Sequence, residues 1–349
     1  RKQNRYLSLK KTSDKNQTAW ENPRRRFPKG DRGLRPFPLP FGRVRRRDSP
    51  CNINAHIIRK ELLEKRSEKS TMHDYRAIFL DIDGTLTQPG HSAPPASAVA
   101  AIESARRLGR RVFLCTGRCE AMLKPLLHCA DFDGYVASSG GLVVVGSRDV
   151  FDCPMTPLEQ AHVLTALSDN GVFRTVQTRM GAYCDEGFRD FLRARDVQNG
   201  SSELLRWREA IEQRLQMQPM RDYGGEPVYS VVCMSPTRAQ LDKAMAECSE
   251  FDFVLMDDRQ HDLVNAETAN RRYDKGSGVK QVCAALGINP ADSICFGDSL
   301  NDLPMFAAAG FSVCMGNGAD AAKQSADAVC QSVDDDGLAK AFADFGLLA

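Results

Sequence analysis

Three short apolar runs, each followed at once by polar turn residues, constrain this chain more than anything else in it. Residues 75–80 (Y-R-A-I-F-L) lead into D-I-D-G-T-L-T at 81–87, residues 111–115 (R-V-F-L-C) into T-G-R at 116–118, and residues 293–296 (S-I-C-F) into G-D-S-L-N-D at 297–302. Runs this short and this uniformly apolar read as strands buried on both faces, whereas a half-exposed strand would alternate. Helical stretches at 97–109, 275–287 and 303–309 separate them, and a fourth run follows at 311–314. The alternation predicts an α/β fold: a Rossmann-like core whose parallel sheet carries helices on both faces.

A segment of different texture interrupts this pattern. It holds helical spacing at 156–171, 187–195, 202–216 and 236–249, and strands at 172–178, 227–234 and 251–264. Half-solvated strands with interleaved helices predict an inserted α+β domain with an antiparallel sheet. The expected organisation is a tail at 1–72, a first core part at 73–152, a cap insertion at 153–262 and a second core part at 263–349.

The formal net charge of +2 conceals two regions of opposite sign. Residues 1–72 hold 21 Lys+Arg against 7 Asp+Glu, and the remaining residues hold 26 against 38. The tail carries R-R-R at 24–26 and R-V-R-R-R at 43–47 among scattered prolines, with little apolar periodicity. It is expected to be disordered, or to be an extension ahead of Met72 that is no part of the working protein. A basic arm suits nucleic acid, which gives a rival reading of the chain as a nucleic-acid-binding protein. The acidic body would repel a polyanion, and the tail's few aromatic residues are too scattered to stack bases. No apolar run approaches the roughly 18 residues of a membrane span. Twelve cysteines occur without a single C-x-x-C. Most, such as Cys115, Cys233, Cys295 and Cys314, stand in apolar stretches. They read as buried thiols of a cytoplasmic protein rather than a disulfide framework or zinc site.

In an open α/β sheet, ligands gather at the carboxyl ends of the strands. Asp81 with Asp83, Thr116 with Gly117, Lys275, and Asp298 with Asn301 and Asp302 are each expected at such an end, where they can converge. A cluster of carboxylate oxygens suits Mg2+, while a lysine and free backbone N–H groups suit a phosphate. Singly, each motif makes an ordinary turn or helix cap. Their joint occurrence in this order points to phosphoryl transfer assisted by magnesium.

The set resembles the four motifs of the haloacid dehalogenase-like (HAD) phosphatases: D-I-D-G-T-L-T the first, Thr116 the second, Lys275 the third and G-D-S-L-N-D the fourth. S-S-G-G-L-V at 138–143, K-G-S-G-V-K at 275–280 and M-G-N-G-A-D-A-A-K-Q-S-A-D at 315–327 are similar to its Cof-type branch, subfamily IIB, whose cap lies between the second and third motifs. The likeness covers residues 74–349, the cap only weakly. Two departures bear on substrate fit: Ser139-Gly140-Gly141, where the branch often has N-G-A or N-G-G, and R-R-Y-D-K leading to the lysine.

The resemblance implies a role for each residue. Asp81 would be the nucleophile that forms an aspartyl-phosphate. Asp83 would protonate the leaving group and then deprotonate water. Asp81, Asp298 and the main-chain carbonyl of Asp83 would hold the metal, with Asp302 in support. Thr116, Gly117, Lys275 and Asn301 would bind the phosphoryl oxygens, and Gly84 would let the chain turn. The implied protein is a Mg2+-dependent phosphatase for a small phosphorylated metabolite: a sugar phosphate, or a cofactor or nucleotide phosphate. The alternative within the fold is a phosphomutase, although that group's G-G-N-D element is missing here.

Overall fold

The apolar runs form the centre of an eight-stranded sheet in the computed structural model, which describes residues 73–88, 91, 93–188, 190, 217–255 and 264–349. The basic tail, the polar helix expected near 202–216 and most of the helix expected near 187–195 lie outside the described residues. Strands β1 (Ala77–Leu80), β2 (Arg111–Cys115), β3 (Gly134–Ala137), β4 (Leu142–Val145) and β5 (Arg148–Asp152) come first in the chain. Strands β12 (Ser293–Gly297), β13 (Phe311–Cys314) and β14 (Ala328–Val329) come last. Their order is β14-β13-β12-β1-β2-β3-β4-β5. The first six in that order are parallel, and β4 and β5 add an antiparallel hairpin.

Alternation along β1 and β12 covers both faces of this sheet. Ile78, Leu80, Ile294 and Phe296 pack under helices α1 (Ala96–Arg107) and α8 (Gly337–Asp344). Ala77, Phe79 and Cys295 pack against α5 (Lys275–Leu286) and α6 (Leu303–Ala308). Strands buried on both faces have no polar side to show, which is why their sequences read as continuous apolar runs.

The second sheet contains β6 (Phe173–Thr178), β7 (Ala182–Cys184), β8 (Met217–Pro219), β9 (Val228–Ser235), β10 (Asp252–Leu255) and β11 (Val264–Ala269), in the order β10-β11-β9-β6-β7-β8. It is antiparallel except between β7 and β8. Helices α3 (Pro157–Asp169) and α4 (Arg238–Glu247) cover one face. Helix α3 starts at a Thr156–Glu159 capping box with Pro157 at its first position, the arrangement that satisfies free N–H groups.

Two expectations need correction. β11 runs to Ala269 and pairs with β9 and β10, so the second sheet extends past the edge placed at residue 262. The central strand β9 is also not half-solvated, because all eight of its residues are buried, whereas β10 at the edge alternates exposed and partly buried residues. The second face of β9 is covered as well as its helix face.

Candidate active site

Because β12, β1 and β2 are adjacent and parallel, the residues that follow them meet at one edge. Asp81 follows β1 in the centre, Thr116 follows β2 on one side, and Asp298 follows β12 on the other. Asp81 N–H donates to the Phe296 carbonyl at 3.0 Å, which extends the ladder one residue into the site.

Lys275 does not end a core strand, but it is the first residue of α5, where the helical stretch at 275–287 placed it, and the cap of that helix is Asp274. The Asp274 carboxylate accepts from Ser277 N–H at 2.7 Å, and its own N–H donates to Ser277 Oγ at 2.9 Å. The D-K-G-S sequence is a helix start, and the helix axis rather than a strand aims the lysine. Its Nζ donates to Asp81 Oδ1 at 2.7 Å, Asp302 Oδ1 at 2.7 Å and Asn301 Oδ1 at 2.9 Å. The Lys275 and Asp302 side chains have no exposed surface and that of Asp81 has 7%. Burial alone would favour neutral lysine, but the facing carboxylates win and hold Lys275 well above its ordinary range.

The carboxylates outnumber the lysine. Ligand oxygens of Asp81, Asp298 and Asp302 lie within 4.8 Å of one another. Burial pushes Asp81 up to about 7, a rise that Lys275 opposes and that Asp302 and Asp83 reinforce. Burial and then the Asp81 charge push Asp298 up to about 9. Asp302 is fully engaged, since Oδ1 accepts from Lys275 and Oδ2 from the N–H groups of Asp298 and Ser299 at 2.9 and 3.0 Å. Asp298 Oδ1, by contrast, is buried without any hydrogen-bond partner. A buried carboxylate oxygen facing other carboxylates, with no donor of its own, fits a hard cation.

Several contacts were not legible in the sequence. Arg118 grips the Asp83 carboxylate at 2.6 and 3.0 Å, a bidentate pair across 35 positions. The Thr116 loop is pinned from β3: Ser138 N–H donates to the Arg118 carbonyl at 2.9 Å and Ser139 N–H to the Thr116 carbonyl at 3.0 Å. Both serines have positive φ, 48° and 54°, a conformation that costs energy for residues with a β-carbon. Gly140, at φ +107°, lies so close to α5 that a β-carbon there would sit 2.2 Å from the Asp274 carbonyl oxygen. The Ser139-Gly140-Gly141 departure thus supports both the Thr116 loop and the start of the lysine helix. Gly84 has φ +81°, as its turn requires, and a β-carbon on it would strike Asp298 Oδ2 at 2.3 Å. Asn317, in M-G-N-G, fixes that turn by donating to the Gly84 carbonyl at 2.8 Å. A β-carbon on Gly117 would lie 3.4 Å from Ser139 Oγ, 3.8 Å from Glu267 Oε2 and 4.0 Å from Asn301 Nδ2. The structure therefore brings together every residue expected at the site and adds Glu267 from the second sheet.

Among the described residues, no helix is long and apolar enough to cross a membrane. The described cysteines form no disulfide, and Cys115, Cys233, Cys295 and Cys314 are buried. Burial pushes their thiols above the ordinary range.

Comparison with known proteins agrees with this geometry. The family model described as haloacid dehalogenase-like hydrolase matches residues 78–342. A Bacillus subtilis protein named 5-amino-6-(5-phospho-D-ribitylamino)uracil phosphatase YwtE is 26% identical over 278 residues, 76% of this chain and 96% of that one. A phosphoglycolate phosphatase of Haloarcula marismortui is 28% identical over 277 residues, 78% of this chain and 98% of that one. A solved HAD subclass IIB sugar phosphatase, BT4131, superposes with a TM-score of 0.62 at 21% identity, covering 78% of this chain and all of the other.

Proposed function

The chain belongs to the haloacid dehalogenase-like hydrolases and is a phosphatase, and from that premise we propose a Mg2+-dependent hydrolysis of a small phosphorylated metabolite, in the cytoplasm, through an aspartyl-phosphate on Asp81. The observation that carries the reading is the Lys275 ammonium held between Asp81 and Asp302, beside an Asp298 oxygen with no partner.

Asp81 is the nucleophile. Its carboxylate attacks phosphorus as the bond to the leaving oxygen breaks, and Asp83 gives that oxygen a proton. Asp83 then takes a proton from the water that opens the aspartyl-phosphate, releasing phosphate and restoring Asp81. Arg118 orients Asp83 for both transfers. Thr116, the Gly117 N–H, Lys275 and Asn301 hold the phosphoryl oxygens, and Asp302 holds Lys275 and the Asp298 main chain in position. Bound by Asp81, Asp298 and the Asp83 carbonyl, Mg2+ would supply positive charge against the phosphoryl oxygens. It would also oppose the burial that favours neutral Asp81 and Asp298. The second sheet with α3 and α4, about residues 153 to 269, serves as a cap that closes over the site and excludes water.

The test is a panel of phosphorylated metabolites assayed with Mg2+ and with chelator, together with acid quenching to trap protein-bound phosphate. Metal-dependent turnover and a phosphate label lost in Asp81→Asn are expected. Turnover that survives both chelation and Asp81→Asn would put the chemistry elsewhere.

A further inference from the structure

Gly117 is a glycine that the fold itself does not require. Gly84 and Gly140 are held to glycine by positive φ and by neighbours that a β-carbon would strike at 2.3 and 2.2 Å. Gly117 is not among the glycines with positive φ. A β-carbon on it would make only ordinary contacts, 3.4 Å to Ser139 Oγ, 3.8 Å to Glu267 Oε2 and 4.0 Å to Asn301 Nδ2. Alanine at such a position normally stabilises a fold. The bare side of Gly117 is therefore a small open space in the proposed phosphate loop. Polar atoms from three elements wall it: the turn after β3, strand β11 and the turn after β12.

Two of these walls can donate a hydrogen bond. Asn301 Oδ1 accepts from Lys275 Nζ at 2.9 Å and from Ser299 Oγ at 2.8 Å, which leaves its Nδ2 end for the space. The Ser139 hydroxyl is the nearest neighbour, and among the described residues it has no hydrogen-bond partner. The ionised Glu267 carboxylate would offer acceptors only.

Ser139 also holds a strained backbone. Its φ of 54° and ψ of 28° lie in the left-handed region, which glycine enters freely and asparagine more readily than serine. Among the described residues, three that are not glycine have positive φ, and Ser138 and Ser139 are two of them. The main-chain bonds from Ser138 to Arg118 and from Ser139 to Thr116 would serve any residue. They explain the conformation and leave the side chain unexplained. Strain of this kind persists where function uses it, and the hydroxyl is what a serine keeps there and a glycine would lose.

Resting on the phosphatase reading above, we propose that Ser139 is a further phosphate-binding residue, its hydroxyl donating to a phosphoryl oxygen across the bare side of Gly117. It joins the Gly117 N–H and Asn301 Nδ2, so donors reach the phosphoryl group from the ends of β2, β3 and β12. The bond addresses the group that every substrate shares and does not choose among leaving groups.

Two substitutions separate the hydroxyl from the strain. Ser139→Ala deletes the hydroxyl and keeps the strain, whereas Ser139→Gly deletes both. With Mg2+ present, the dissociation constant of inorganic phosphate is read from its effect on the melting temperature, and kcat/KM is measured on a hexose 6-phosphate and p-nitrophenyl phosphate. In both variants the phosphate constant should rise about tenfold or more, as for a lost hydrogen bond to a charged group. On each substrate that the parent turns over, kcat/KM should fall by a similar factor. Without phosphate, the melting temperature of Ser139→Gly should hold or rise, so activity and stability move apart, which a merely structural role does not allow. Gly117→Ala should show the same separation. Unchanged phosphate constants in both serine variants would overturn the proposal, and would mean that the hydroxyl serves Glu267 or nothing. A melting temperature lowered by more than ~4 °C in Ser139→Gly would also overturn it, by making the serine a structural residue. A parent that neither binds inorganic phosphate nor turns over p-nitrophenyl phosphate would instead bring down the phosphatase site itself, and this proposal with it.

Discussion

In the core sheet, Lys275 and Asp302 are buried polar groups that satisfy one another, while Asp298 Oδ1 is buried without a partner. Lys275 and Asp302 lie fully out of solvent, and Lys275 Nζ and both Asp302 carboxylate oxygens are committed to each other, to Asp81 and Asn301, or to the main chain after β12. In the cap sheet, Gln177, Ser230 and Asn265 are buried as deeply, yet Gln177 Oε1, Ser230 Oγ and the Asn265 amide pair with nothing. The difference separates two kinds of burial. Groups that stabilise charge in a transition state must be fixed before the substrate arrives. The unpartnered polar atoms of the cap sheet are fixed by no such network. Core substitutions should therefore slow every substrate alike, and substitutions of those cap residues should leave the chemical step alone.

The largest effect tests the core side of that contrast. Asp81→Asn should lower kcat by about 10⁴-fold or more on every substrate, as removal of a covalent nucleophile does elsewhere, and leave no phosphoenzyme. On the proposed mechanism, Asp83→Asn keeps the nucleophile and loses the acid and base, worth about 10² to 10⁴-fold. The loss should be mildest with p-nitrophenyl phosphate, whose leaving group needs little protonation. Opening of the aspartyl-phosphate then becomes slow, so phosphoenzyme should accumulate on acid quenching. A substrate-selective loss in Asp81→Asn would break the division between the sheets.

Lys275→Met follows in size. It removes the one cation between Asp81 and Asp302. Loss of a preorganised charge at the phosphoryl group should cost about 10² to 10³-fold in kcat. Stripping a buried ion cluster of one sign should destabilise the fold by about 3 kcal/mol in chemical denaturation. The deficit should shrink in acid, where the remaining carboxylates take up protons. A variant as stable as the parent at pH 8 would show that Lys275 is not what offsets their charge.

How much of this could be read from the chain depends on the range of each interaction. Asp81, Thr116 and Asp298 were legible because a short apolar run sits immediately before each, so local pattern and strand-end geometry agree. Lys275 was legible as the start of a helix at 275–287 but not as the end of a core strand, because no core strand runs directly into it. The Arg118–Asp83 pair spans 35 positions, and no periodicity reports it. The β4–β5 hairpin was missed because L-V-V-V looks like one more parallel strand, while R-D-V-F-D at the sheet edge has few apolar residues to mark it. Alternation in the cap gave strands but not the burial of both faces, because Gln177 and Ser230 would read as solvated positions on an ordinary half-exposed sheet.

A third prediction sharpens the contrast through pH. In the metal-free protein Asp81 and Asp298 bind protons up to about 7 and about 9, whereas in the unfolded chain they lose them near 4. Between about pH 5 and 9 the folded state therefore holds more protons than the unfolded state, and stability falls as pH rises. Lys275, raised above its ordinary value, stays charged in both states across this window and adds no slope. Melting temperature in chelator should decline from about pH 5 to 9, and Mg2+ should flatten the decline by favouring the ionised carboxylates. Gln177→Leu, on the cap, should leave both curves parallel to those of the parent. A chelator curve that rises through the window would contradict the buried carboxylate cluster.

The smallest effect lies where the two sheets touch. Arg179, in the turn between β6 and β7, reaches across to Glu120 and Asp149, with the Asp149 contacts at 2.6 and 2.9 Å. Glu120 begins helix α2 (Glu120–Leu127), four positions after Thr116, and also accepts from Tyr135 Oη at 2.6 Å. The contact thus ties the β6–β7 turn to the segment that carries the proposed phosphate loop. The Arg179 side chain is 34% exposed, so water and salt screen the pair, and Arg179→Ala should cost at most about 1 kcal/mol of stability. Its kinetic signature should be a KM raised roughly threefold on polyol and aromatic substrates alike, because a cap less often closed is a binding-competent fraction reduced. The parent's KM should also rise between low salt and about 0.5 M salt, where the Debye length falls to a few ångströms, while the variant's KM should stay flat. Closure stands apart from both sheets. It leaves the ratio between substrates alone, as a core substitution does, and it leaves kcat alone, as a core substitution does not. A tenfold fall in kcat, or a shift in the substrate ratio, would take Arg179 out of closure and remove the hinge between the sheets.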